Sequence, residues 1–308
     1  MDTAGMKKGL ARIFCVAALA ACAADVTPAP QAGRRLVWGD EFNGTALDQT
    51  KWRFRATMNS SDCTYTNDSR TARVEDGCLH LLVVPSGNPA KPQMLSRGIA
   101  THDTMAFRYG YLEMRGRVPF RHGAWPSFWM TATKQYRKSK WMAEIDIFEV
   151  FSSSNTVEHN LHKWVKEGDN TKLHSKLLTG KASRTFRFPD WTKLNEEFHV
   201  YGFEWTPQEM SFWVDGVKYG SCPIDEAHDF SPQPIPGMDG FHDYESIVFN
   251  NEVFAPGRKW WCPPEFRITE DDALPVEYWI DWVRLWQKDG EEIRFPAQEG
   301  RKVGVGEW

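Results

Sequence analysis

Apolar and polar residues alternate with a period of two over several short stretches of this chain, the spacing of half-buried β-strands. Residues 110–118 set the pattern: Leu112, Met114 and Val118 face a core, while Glu113, Arg115 and Arg117 face outward. Residues 198–205 predict a second strand, Thr206 to Glu209 carry turn chemistry, and Met210 to Val214 predict a third. Asp215-Gly216 is the strongest hairpin signal present. Tyr278 to Trp286 predicts a long last strand, apolar on both faces apart from Asp281 and Arg284. No amphipathic helical pattern exceeds about two turns. Many short strands with regular turns predict an all-β sandwich of two antiparallel sheets.

Glu144-Ile-Asp-Ile-Phe-Glu149 breaks the pattern, setting three carboxylates in an otherwise apolar run. Acids are costly to bury without a task. In a regular strand Glu144 and Asp146 share a face and Glu149 takes the other. One extra residue, a β-bulge at Ile147–Phe148, returns Glu149 to the face of the first two. Glu144 and Glu149 then lie four strand steps apart, roughly 13 Å between Cα atoms. Two glutamate side chains leaning together close most of that gap. A retaining glycosidase uses two carboxyl groups about 5–5.5 Å apart, an inverting one about 6.5–9.5 Å. A shared strand favours the shorter distance. A solvated acidic stripe on an exposed sheet face is the competing reading.

The chain holds fifteen tryptophans. Trp125, Trp129, Trp141 and Trp164 lie near the acidic segment in sequence. Indole offers a flat apolar face and one N–H donor, which suits stacking against a sugar ring. Trp205, Trp213, Trp279 and Trp282 read as core. In the next strand, Thr156 to Trp164, alternation puts Glu158, Asn160, His162 and Trp164 on one face and Val157, His159, Leu161 and Lys163 on the other. His159 and His162 therefore point apart and make a poor metal site. His162 is either a substrate contact or a hydrogen-bonded structural group.

The acidic segment resembles the bulged signature of glycoside hydrolase family 16, which includes laminarinases, agarases and carrageenases. Leu36-Val-Trp-Gly-Asp-Glu-Phe-Asn-Gly44 is similar to the family's opening strand. Arg108-Tyr-Gly-Tyr-Leu-Glu-Met-Arg115 and Trp125-Pro-Ser-Phe-Trp-Met130 resemble two further family segments. Gly202-Phe-Glu-Trp-Thr-Pro207, Trp213-Val-Asp-Gly216 and Tyr278-Trp-Ile-Asp-Trp-Val-Arg-Leu-Trp286 resemble its late hairpin and final strand. The resemblance spans roughly residues 36 to 288 with motif order kept. It implies a concanavalin A-like β-jelly roll with a concave substrate cleft, and a retaining endo-β-glycosidase. It assigns Glu144 as nucleophile, Asp146 as the group orienting it and Glu149 as general acid/base. Like charges set close together fit those roles, because one of them holds its proton to higher pH. Trp125 and Trp129, and less directly Trp141 and His162, resemble residues lining the substrate groove.

The chain departs from the laminarinase pattern before the late strands, where Glu245 to Gly257 and Lys259-Trp-Trp-Cys262 stand. Both β-1,3- or β-1,4-linked glucan and algal galactan stay open as substrates. Arg97, Arg108, Arg121, Arg137 and Lys163 are candidate partners of sulfate esters or ordinary surface charges. No cofactor is required. The resemblance also implies a structural Ca2+ on the convex face, with Glu41 and Asp281 at matching places.

A formal net charge of −4 gives no basic surface for nucleic acid. The length fits one all-β domain over 36–288, expected as a monomer. Residues 1–22 read as a signal peptide: Lys7, Lys8 and Arg12 precede an apolar stretch too short to span a bilayer. Leu19-Ala-Ala-Cys22 resembles a bacterial lipoprotein box, which would lipidate Cys22; ordinary cleavage after Ala23 is the alternative. Residues 23–35 read as a linker and 289–308 as a C-terminal tail. Export to an oxidising compartment would permit Cys63–Cys78 and Cys222–Cys262 disulfides, with free core thiols as the alternative. Two function classes follow: a retaining endo-β-glycosidase, or a non-catalytic carbohydrate-binding protein of the same architecture. Three crowded acids at bulge spacing favour the enzyme.

Overall fold

The computed structural model describes residues 30–55, 63–88, 93–133, 135–139, 141–167, 170–176, 185–192, 194–224, 239–254, 264–269 and 274–300. Strands are numbered in chain order and form two sheets. The first holds β1 (Arg35–Asp40), β3 (Cys63–Tyr65), β4 (Ala72–Glu75), β5 (Cys78–Pro85) and β6 (Met94–Ser96). It continues with β9 (Gly110–Arg117), β15 (His199–Trp205), β16 (Glu209–Val214), β17 (Val217–Pro223) and β19 (Val276–Gln287). The second holds β2 (Arg53–Phe54), β7 (Gly98–Ala100), β8 (Ala106–Arg108), β10 (Ala124–Ala132) and β11 (Met142–Glu149). It continues with β12 (Thr156–Glu167), β13 (Asn170–Lys176), β14 (Thr185–Arg187), β18 (Glu245–Val253) and β20 (Glu292–Arg294). Along its main path the second sheet runs β13-β12-β11-β10-β18-β7-β2. This is the predicted all-β, two-sheet architecture.

Alternation explains how the sheets meet. Leu112, Met114 and Val118 are fully buried, as their spacing predicts. Phe148 of the second sheet packs 4.4 Å from Tyr201 and 6.0 Å from Tyr278 of the first, centroid to centroid. Phe128 stacks on Phe249 at 4.8 Å. Each such side chain stabilises the fold by about 1.5–3 kcal/mol. Asp215 and Gly216, at φ 48° and 78°, form the predicted two-residue turn between β16 and β17.

Several expectations change. Glu113, expected outside, is buried and accepts hydrogen bonds from Trp286 Nε1 (2.8 Å) and Gln31 Nε2 (2.9 Å). Trp205 and Trp213 are buried as expected, but Trp279 and Trp282 are only half-buried. They lie on the outer face of the first sheet, where the Arg117 and Arg284 guanidiniums cover their rings at 3.7 and 4.1 Å. The ordered region runs past both assigned ends of the domain. Arg34, assigned to the linker, reaches Glu204 (3.0 Å) and Glu291 (3.1 Å) with a side chain only 4% exposed. In the assigned tail, β20 pairs with β8. Cys63, Cys78 and Cys222 are buried free thiols, so the Cys63–Cys78 disulfide is not formed. Cys63 and Cys222 lie in separate apolar clusters, and Cys78 lies near the charges of Asp281, Arg117 and Arg115. Cys262, the leader with Cys22, and most of the linker lie outside the described residues.

Gly123 sets the entry of β10. Its φ is +75°, and a Cβ would meet Ile268 backbone atoms at 2.8 Å. Its amide donates to Ser152 Oγ and its carbonyl accepts from Phe254 N. Gly123→Ala is expected to lower the unfolding free energy by about 2–4 kcal/mol, read as a lower urea midpoint at unchanged slope.

Candidate active site

The acidic segment is β11, flanked by β10 and β12. Asp146 pairs with Asn160 and Glu149 with Glu158, so three steps on β11 face two on β12. Against β10, Phe128 faces Phe148 and Trp129 faces Asp146, which skips Ile147. The extra residue falls in Ile147–Phe148, where the sequence predicts it. Both side chains enter the core, at 2% and 1% exposure. Apolar burial thus anchors the bulge and leaves Glu144, Asp146 and Glu149 together on the face away from the core.

Neighbouring strands supply their partners. Trp125 Nε1 and Asn160 Nδ2 each donate to Glu149 at 2.9 Å, one to each carboxylate oxygen. Trp164 Nε1 donates to Glu144 Oε2 at 3.0 Å. His162 Nε2 lies 3.0 Å from Asp146 Oδ2 and 3.9 Å from Glu144 Oε1. Burial, followed by the charge of Asp146, raises Glu144 and Glu149 each to about 7, against an ordinary 4.5. His162 opposes both shifts, and at Glu149 the Trp125 and Asn160 donors oppose it too.

Of the aromatic candidates, Trp125 stacks on Phe254 at 5.0 Å. Trp129 donates to Asn250 Oδ1 at 2.6 Å, with the Arg55 guanidinium 4.3 Å from its ring centre. Asn250 Nδ2 in turn donates to Glu252, which also accepts from the Tyr65 hydroxyl. Trp141 does not join them. It is 5% exposed, packs edge-on against Phe241 and sits in the core, on the opposite face from Glu144 and Met142. Lys163 is likewise fully buried, its Nζ 4.6 Å from the Trp141 ring. Arg97 donates to Thr71 Oγ1 and the Asp68 carbonyl, and Arg108 pairs with Glu292.

Trp164 and Asn160 were legible as residues on the acidic face, though not as direct partners of the two glutamates. Arg55, Asn250 and Glu252 carry no local sequence signal and arrive from strands distant in the chain.

Ligand-capable atoms of Glu144, Asp146 and His162 lie within 4.8 Å of one another. The His162–Asp146 hydrogen bond accounts for that proximity. The pair implied for Ca2+ does not fit a cation. Both Glu41 oxygens accept from Arg284 at 2.8 Å, and Asp281 is paired with Arg115. Guanidinium groups already neutralise both carboxylates.

Comparison with known proteins agrees with this geometry. The chain is 29% identical over 284 residues to glucan endo-1,3-beta-glucosidase A1 of Niallia circulans, covering 83% of this chain but only 38% of that relative. It is 27% identical over 263 residues to a beta-glucanase of Rhodothermus marinus, covering 82% of this chain and 85% of the relative. The laminarinase catalytic domain of Thermotoga maritima superposes with a TM-score of 0.64 at 22% identity, over 83% of this chain and 98% of that one. The family model for glycosyl hydrolases family 16 matches residues 52–239. A family match over more than half the chain, laid on the same sandwich and enclosing the bulged acidic strand, makes this protein a member of glycosyl hydrolases family 16.

Proposed function

We propose that the protein is a retaining endo-β-glycosidase hydrolysing a β-1,3- or β-1,4-linked polysaccharide, a β-glucan or an algal galactan. The bulge that brings Glu144, Asp146 and Glu149 to one face carries this reading. Glu149 gives its proton to the leaving glycosidic oxygen while a Glu144 oxygen attacks the anomeric carbon, forming a glycosyl ester. Glu149 then takes a proton from water, the water oxygen attacks the same carbon, and Glu144 leaves as carboxylate. Asp146, held by His162, orients the nucleophile. Trp125, partly exposed beside Glu149, offers indole surface to the sugar ring, whereas Trp129 is 7% exposed and its ring is covered by Arg55. The raised proton affinity of the outer acids supports hydrolysis over passive binding, which has no use for a carboxyl group poised near neutrality.

Glu144→Gln is expected to abolish hydrolysis and leave oligosaccharide binding largely intact; unchanged turnover would overturn the assignment. Proton NMR of the first-formed product is expected to show the β anomer, and an initial α anomer contradicts retention.

The pH behaviour follows from the paired shifts. The two glutamates titrate as one coupled system, so kcat/KM is expected to be bell-shaped. Asn160 favours the ionised form of Glu149. Asn160→Ala is therefore expected to move the basic limb upward by roughly half a unit to one unit. Stability gives a second reading. The folded protein holds these protons more tightly than the unfolded chain, so stability falls as pH rises from about 4.5 to about 7. Glu149→Gln removes the share of that loss owed to Glu149. It is expected to be more stable than the parent by about 1–3 kcal/mol at pH 8, with the advantage gone at pH 4. A thermal melt series across pH checks this.

We also propose export through the N-terminal leader with lipidation at Cys22. Labelled palmitate is expected to appear on the protein in producing cells; an unlabelled protein removes the anchor.

A further inference from the structure

We propose that a cationic pocket beside the acidic strand receives an anionic substituent of the glycan, a sulfate ester or a carboxylate. This rests on the glycosidase reading and narrows its substrate class. The pocket has a volume of about 280 Å³ and is lined by Tyr136, Arg137, Lys138, Tyr244, Arg294 and Glu299 among others.

Register places it on the same face as Glu144. Thr131 of β10 pairs with Glu144 on one side and with Ser246 of β18 on the other. Tyr244 lies two residues beyond Ser246 on the same alternation. That is ~12 Å from Glu144 between Cα positions, from two inter-strand spacings and two strand steps. The neighbouring strands agree. Phe107 of β8 is in the core and Ile293 of β20 packs against it. Their flanking residues Arg108, Glu292 and Arg294 therefore point to the opposite side, the face of Tyr244.

Its chemistry suits an anion. Three cations and one carboxylate line it; Arg294 is already paired with Glu292 and Glu299, which leaves Arg137 and Lys138 to meet an anion. Arg294 is held against Tyr244, its Nε and Nη2 3.1 and 3.0 Å from the hydroxyl. The Tyr136 hydroxyl donates to Glu299 at 3.1 Å, and Glu299 lies 3.8 Å from Arg294. Glu299 is thus committed to Tyr136 and Arg294. Arg137 and Lys138 form no ion pair among the described residues. The Tyr136 and Tyr244 rings, 5.5 Å apart and buried with Ala106, form the floor that holds Arg294 and Glu299 in place. Arginine beside a second cation is the usual protein answer to a sulfate or carboxylate.

Affinity electrophoresis of the Glu144→Gln protein tests this in low salt, through gels holding κ-carrageenan or uncharged agarose. The expected result is retardation about tenfold stronger in the sulfated gel. The preference should collapse toward parity in Arg137→Gln/Lys138→Gln and grow in Glu299→Gln, which removes the competing carboxylate. Inorganic sulfate at tens of millimolar should abolish it. Equal retardation in the two gels overturns the proposal, as does a preference that survives in the double variant. Sulfate binding without any preference for the sulfated polymer also overturns it, leaving a site for free anions only. Because this variant does not depend on turnover, failure here leaves the hydrolase reading to its own tests.

Discussion

Three carboxylates must share one face of one strand, and a regular strand cannot arrange that. The extra residue in β11 solves the parity problem, and the core holds the solution in place. Ile147 and Phe148 are both driven inward by the hydrophobic effect, so removing the bulge would turn Phe148 outward and bury Glu149 instead. The same two side chains that pack against the first sheet therefore aim the acids away from it.

Concentrating negative charge there is unfavourable, and the surroundings reduce the cost without removing it. Trp125, Asn160 and Trp164 each donate one hydrogen bond to the outer glutamates, and His162 holds the central aspartate. None of these donors is a buried lysine or arginine paired directly with Glu144 or Glu149. A guanidinium in direct contact would depress the carboxyl groups and remove their capacity to hold a proton near neutrality. Indole and amide donors position the outer acids while leaving their proton affinity high. Where the protein does need neutralised carboxylates, as at Glu41 and Asp281, it uses arginine.

Strand parity sorted most of the remaining residues correctly. It separates Trp164 from Lys163, and Glu144 from Trp141. The family resemblance nonetheless points Trp141 to the groove, against an alternation that places it with Ala143 and Ile145 in the core. Parity also misled at Glu113, which does face away from the core but is covered by Trp286 and Gln31. Outward on a strand is not the same as exposed to water when neighbouring side chains close over the position.

The sequence by itself determined the sandwich, the β16–β17 turn, the bulge and the three acids, because each depends on residues a few positions apart and on a period of two. Tertiary structure decided the rest. Arg55 over Trp129, Asn250 and Glu252 beside it, the free state of the described cysteines and the pocket between Tyr136 and Tyr244 all join segments far apart in the chain. Strand order and register fix those meetings, and neither is written in local spacing.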